Sequence, residues 1–322
     1  MIKRTLAIAL TALALTTGFH SSLTAGEAFP SKPIQIIVPW SPGGGSDISA
    51  RIVADKASKY LGEAMIISNM TGAAGLNGAQ KVVKSAPDGY TILWEHPGNL
   101  AVTPLVAKAR YTWKDFDIIG SIGASPVAVF TRGSSPWSGI MDAVKDMKAN
   151  PGKIRWATTP NAASGFSLYA IEDAAGGFKT VIIPAQSDKN RVVSVLGDNS
   201  EISAAAFAAV FPYMKSGDAK ILAMCSAERS PLAPEIPTLI DQGINATSEF
   251  LYTAFVPKGT PDTVKKTLAD ALQKATNDPE VVKSLAAQGV VALWRDAAKT
   301  NEYWEDQAGL FLRLGKAKGI FK

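Results

Sequence analysis

The sequence predicts an α/β fold built from two domains, on three observations. Short runs of β-branched apolar residues alternate with segments at helical spacing, the strand–helix–strand order of a largely parallel sheet with covering helices. Several strand-to-helix turns consist of glycine or other small residues, which gathers free N–H groups at the carboxyl ends of strands. A chain of 322 residues, 47% hydrophobic and 19% charged, is long enough for two ordinary cores and too apolar to be disordered.

The stretch Ile34 to Val53 sets the pattern. Ile34, Ile36, Ile37 and Val38 suit a strand covered on both faces. Pro39 and Pro42 end its ladder, because neither has an N–H to donate. Gly43, Gly44 and Gly45 turn the chain and let another group approach the backbone. Ser46 is the expected N-cap, and Asp47 falls in the first helical turn, where its charge suits the helix dipole. The loop is either an anion cradle or a tight turn that needs glycine for packing.

The same order recurs downstream. Met65 to Ile67 is a strand, Thr71 to Gly75 a second glycine turn, and Ala79, Val82 and Val83 the inner face of a helix. Ala86-Pro87-Asp88-Gly89 is a turn, and Tyr90 to Trp94 the next strand. Phe116 to Ile122 and Val127 to Phe130 are two strands split by Ser125-Pro126. Ile140 to Lys148 is a helix ended by Asn150-Pro151-Gly152, and Ile154 to Ala157 a strand. The polar loop Thr158 to Gly165 leads to a helix around Leu168 to Ala175. Val181 to Ile183 runs into Pro184 to Asp188 and a helix over Arg191 to Leu196. Ile221 to Ser226 and Tyr252 to Val256 are strands, and Asp262 to Ala275, Pro279 to Gln288 and Thr300 to Ala317 are helices. The sequence shows neither an internal repeat nor a low-complexity segment.

Residues 1–28 are expected to be a secretory leader, with Lys3 and Arg4 ahead of an apolar run from Leu6 to Leu15 and a small-residue cleavage pattern at Gly26-Glu27-Ala28. Setting aside Lys3, Arg4 and Glu27 leaves 31 basic and 27 acidic side chains, a mild excess that favours anionic small ligands. No dense run of lysine or arginine interleaved with aromatics appears, so nucleic acid is not an expected partner. The single cysteine, Cys225, excludes an internal disulfide and a multi-cysteine metal site. Beyond the leader, His96 is the one histidine, and no G-x-S-x-G, H-E-x-x-H, G-x-x-x-x-G-K-[ST] or G-x-G-x-x-G motif occurs. No catalytic residue, metal or cofactor is expected.

These residues, taken together, resemble the Bug family, the periplasmic solute receptors of tripartite tricarboxylate transporters (TctC-like). The resemblance is carried by Phe29 to Ile34, Val38-Pro39, Pro42 to Asp47, Ala86 to Thr91, Lys148 to Lys153, Arg229-Ser230-Pro231, Pro237-Thr238, Pro257 to Pro261 and Asp278 to Val281. It spans essentially the whole chain after the leader. It implies a type II periplasmic-binding-protein fold, two α/β domains with a ligand cleft between them. Domain 1 would be 29–126 with 250–322, and domain 2 would be 127–249. It also implies a periplasmic monomer that captures a small organic acid and delivers it to integral-membrane transporter subunits.

Carried over by position, Gly43, Gly44, Gly45, Ser46 and Asp47 match the family's first binding loop, and Trp40 its aromatic neighbour. Thr158, Thr159 and Asn161 match the polar loop of the second domain, although Pro160, Ala162 and Ala163 depart from its usual Ser-Ser-Gly-Asn-Gly. Gln186, Ser187 and Asp188 stand where the family often has Tyr-Lys-Gly-Ser. Ala206 and Phe207 belong to a wall that often carries an aspartate and is more apolar here. Glu95 and His96 replace small residues after their strand, and either line the pocket or pair at the surface. If Glu95 lines it, a simple dianion is disfavoured by like-charge repulsion, and an amino-bearing or monocarboxylate ligand fits better. A sensor subunit that presents its ligand to a signalling partner is the alternative function, and a secreted enzyme a more distant one.

Overall fold

The computed structural model describes residues 29–320, so the expected leader lies outside the described residues. The elements follow in chain order. The first segment holds β1 (Ile34–Val38), α1 (Gly45–Leu61), β2 (Met65–Asn69), α2 (Leu76–Val83), β3 (Thr91–Glu95), α3 (Pro97–Leu100), α4 (Thr103–Val106) and β4 (Phe116–Arg132). The middle segment holds α5 (Ile140–Ala149), β5 (Arg155–Thr158), α6 (Ala163–Ala174), β6 (Val181–Pro184), α7 (Asp188–Leu196), β7 (Ile202–Ala206), α8 (Phe207–Ser216) and β8 (Ala219–Met224). The last holds β9 (Glu249–Pro257), α9 (Asp262–Thr276), α10 (Pro279–Ala287), β10 (Val291–Asp296) and α11 (Ala297–Ala317).

Two sheets share β4. On one side the order is β2-β1-β3-β9-β4, with β10 also on β4. On the other, β4 pairs β7 and β8, and β7 continues to β5 and β6. The expected parallel pairing holds only in the wings, where β1 pairs β2 and β3, and β5 pairs β6 and β7. The centre is antiparallel, because β4 and β9 run alongside each other from Phe116↔Pro257 to Pro126↔Glu249. β1 shows why the wing is stable: Ile34, Ile36, Ile37 and Val38 are fully buried between neighbouring strands and helices.

The two strands expected around Ser125-Pro126 are one continuous strand of 17 residues. Proline is tolerated there because β4 changes partners at that point. Pro126 ends the register with β9, and Val127 begins the register with β7. No ladder bond is needed from the missing N–H. Register shifts between Ile118 and Gly120 and between Ser121 and Gly123 mark irregularities of the kind that bend a strand. The sequence reading also lacked the short helices α3 and α4, the β7–α8 unit and β10.

Candidate functional site

The site is built from strand ends that converge where the sheets meet. At the end of β1, Gly43 turns the chain with φ of 81°, a left-handed conformation that suits glycine. The expected N-cap is displaced. Gly44 occupies the N-cap without a side-chain bond, and Ser46 lies inside helix α1. Asp47 instead braces the loop from the first turn. Its buried carboxylate accepts from Gly43 N at 2.9 Å, from Asn69 Nδ2 at 2.9 Å and from Arg51 Nε at 3.0 Å. These bonds hold its pKa below the usual carboxylate range, although burial opposes them. Asp47 therefore shapes the glycine loop from behind, and Gly45, the first residue of α1, lies beside Tyr252 and Ala208.

Glu95 ends β3, His96 follows it as the N-cap of α3, and both are buried. Glu95 Oε1 accepts from Trp40 Nε1 at 3.2 Å and from His96 N at 2.8 Å. His96 stacks on Trp40 with centroids 5.8 Å apart and meets Phe250 edge-on at 4.5 Å. Burial pushes Glu95 up to about 8 and His96 down to about 4. The 3.5 Å contact between His96 Nε2 and Glu95 Oε1 thus joins neutral groups at neutral pH, although its length falls within ion-pair range. The alternative in which the two pair at the exposed surface is excluded by their burial.

Across the space stand the strand ends of the second sheet. Thr158 Oγ1 donates to Ser164 Oγ at 3.0 Å and Thr159 Oγ1 to the Ala185 carbonyl at 2.8 Å, so both hydroxyls lace neighbouring loops. Asn161, Gln186 and Ser187 are exposed, and Ser187 caps α7 by accepting from Asn190 N. Ala206 is buried at the end of β7, and its N–H donates to Asp188 Oδ1 at 3.4 Å. Phe207 packs on Phe211, 4.9 Å between centroids, inside the second core.

Asp188 pairs with Arg191, which the sequence placed at a helix start but not in the site. Arg191 is buried, and its Nη1 donates to the Ala185 carbonyl at 3.2 Å and to Ser164 Oγ at 3.4 Å. The pair lies near His96: a side-chain carbon on Gly98 would stand 3.7 Å from His96 Nδ1 and against Ala163, the neighbour of the Ser164 that accepts from Arg191. Tyr252 was missed as well. Its hydroxyl lies 2.7 Å from where a side-chain carbon on Gly45 would stand, directly over the start of α1.

The sheets also touch beside the site. A side-chain carbon on Gly98 would overlap Ala163 Cβ. Asn99 Oδ1 accepts from Ala163 N at 3.4 Å, so α3 of one side caps α6 of the other, whose own N-cap Ala162 has no side-chain bond.

A family model described as the tripartite tricarboxylate transporter family receptor matches residues 49–319. Protein BugT of Bordetella pertussis is 27% identical over 299 residues, 91% of this chain and 90% of BugT. The structure of a TctC solute-binding protein from Polaromonas superposes with a TM-score of 0.76 at 26% identity, covering 90% of this chain and 99% of that one. A Rhodopseudomonas palustris protein solved with adipate shares the fold, with a TM-score of 0.81 at 21% identity over 90% of this chain and 98% of that one. The two-domain α/β fold expected from the sequence is thereby borne out.

Proposed function

Because the chain belongs to the tripartite tricarboxylate transporter receptor family, we propose that it is a periplasmic receptor that closes on a small carboxylate and delivers it to membrane transporter subunits. The observation that carries this reading is the meeting of the glycine loop with the end of β7: Gly45 at the start of α1 stands beside Ala208, and Ala206, two residues earlier, donates to Asp188, the partner of Arg191. The adipate held by the structural neighbour supports a carboxylate as the ligand class. Amide dipoles accept a carboxylate without an unpaired buried charge, and closing the lobes removes the water that would weaken those bonds.

The lobes of this reading are residues 29–126 with 250–322, and 127–249. The change of partners along β4 at Pro126 and Val127 supports that division. Trp40, the Gly43 to Ser46 backbone, Glu95, His96 and Asp188 form the ligand shell, and Thr158 and Thr159 set the loops behind it. The chain acts as a monomer that binds without chemistry, since one copy supplies both jaws. Its one thiol, Cys225, is buried, and that burial raises its pKa well above the ordinary value.

Native mass spectrometry of the protein as purified, followed by a thermal-shift screen of mono- and dicarboxylates, tests the reading. A ligand at a hundred times its Kd is expected to stabilise the fold by about 2.7 kcal/mol. No shift with any carboxylate would overturn it.

A further inference from the structure

The charge inventory of the site narrows the ligand further, on the premise that this is a carboxylate receptor. Among the described residues, Arg191 is the only arginine or lysine that is buried. Its charge is already met by Asp188, one turn earlier on α7. Of the remaining ionisable groups at the site, Glu95 is held by Trp40 and the His96 backbone, and His96 Nδ1 lies by Gly98 where that turn abuts Ala163, next to the Ser164 that accepts from Arg191. A ligand with two carboxylates would therefore find no second, unmatched cation and would meet the Asp188 carboxylate as well.

The hydrogen-bonding capacity left over has a definite polarity. His96 Nδ1 and Arg191 Nε are both shielded from solvent and have no partner. Arg191 Nε can only donate, and it suits a carboxylate oxygen. His96 Nε2 lies beside Glu95 Oε1, so a proton on Nε2 leaves Nδ1 as an acceptor. Asp188 engages both Arg191 and Ala206 N through Oδ1, which leaves Oδ2 as a second acceptor. Donors for one carboxylate and acceptors for one donor group thus stand within the same site.

We propose that the ligand is a monocarboxylate bearing a hydrogen-bond donor, an amino, amide or hydroxyl group, and that His96 and Asp188 select for that donor. The discriminating groups are side chains, whereas the glycine loop supplies the carboxylate anchor common to many ligands.

The test is calorimetric titration of the wild-type protein at neutral pH with matched sets of four-, five- and six-carbon compounds. Each set contains a dicarboxylate, its monoamide and the corresponding ω-amino acid. The expected result is that, in the set that binds best, the amide or amino compound binds at least about tenfold tighter than the dicarboxylate, a difference of about 1.4 kcal/mol. Asp188→Asn, checked for folding by circular dichroism, is expected to lessen that preference, because Arg191 is then free to meet a second carboxylate. Dicarboxylates that bind as tightly as their monoamides would overturn the inference and leave the receptor reading standing. Failure of every compound in every set would overturn both. The wild-type series decides the matter even if the variant does not fold.

Discussion

Glu95 is a carboxyl group kept out of water, and the pH dependence of stability should reveal it. Its pKa rises from 4.5 to about 8 on folding, so it stabilises the fold while protonated, and that contribution is lost as pH rises through 8. His96 falls from 6.5 to about 4, so its term works the other way and lowers stability as pH drops from 6.5. The two offset each other between about 4.5 and 6.5. Between pH 6.5 and 8 Glu95 acts alone, and stability is expected to fall by about 2 kcal/mol. Urea denaturation at the two pH values should show this loss in the wild type and a flat response in Glu95→Gln, which keeps an acceptor for Trp40 and His96. Asp47→Ala is a second test at this scale. It strips partners from Gly43 N, Asn69 and Arg51, and is expected to cost about 1–3 kcal/mol by chemical denaturation.

At the scale of elements, α3 and α6 make the tightest crossing beside the site. Gly98→Val is expected to leave each lobe folded and to hold the crossing apart. Ligand affinity should fall at least about tenfold, and small-angle scattering should show no compaction when ligand is added. An unchanged affinity would mean that α3 and α6 can close with bulk between them. The sequence disclosed the strand-turn-helix units, because β-branched runs and glycine turns are local signals. It did not disclose α3, because Pro97 to Leu100 is a single turn with no periodicity to detect. β4 was divided for a related reason. A proline within a strand argues for a break unless the change of ladder partner is known, and that change is set by residues far along the chain, Glu249 for Pro126 and Ala206 for Val127. Arg191 escaped notice as a site residue because α7 starts at Asp188, three residues before the start read from the apolar spacing. That shift turns the Asp188–Arg191 spacing into a same-face pair. Glu95 and His96 could be singled out by type, but only their burial rules out the exposed surface pair.

Across the whole molecule, helix α11 bridges the two halves. Arg313 pairs with Asp173 at 2.9 Å and Lys318 with Glu172 at 2.6 Å, both partners lying on α6. Phe311 meets Phe166 edge-on, 5.4 Å between centroids. Exposed pairs of this kind contribute less than about 1 kcal/mol each and are screened by salt. Arg313→Ala with Lys318→Ala is therefore expected to leave the thermal midpoint nearly unchanged. Ligand affinity should weaken with added salt in the wild type and respond less in the double variant. Isothermal titration at low and high ionic strength measures both.

The shared strand β4 has a kinetic consequence. The first sheet cannot be completed in chain order, since β3 and β4 wait for β9, which starts at Glu249, and β10 follows later still. Residues 127–248 close their own sheet in the meantime on strands near one another in the chain, β5 to β8. Long-range antiparallel pairing of this kind is slow to nucleate, because the loop must be closed before any contact rewards it. The amino-terminal third of the chain thus stays without its final partners until nearly four-fifths of the sequence is present.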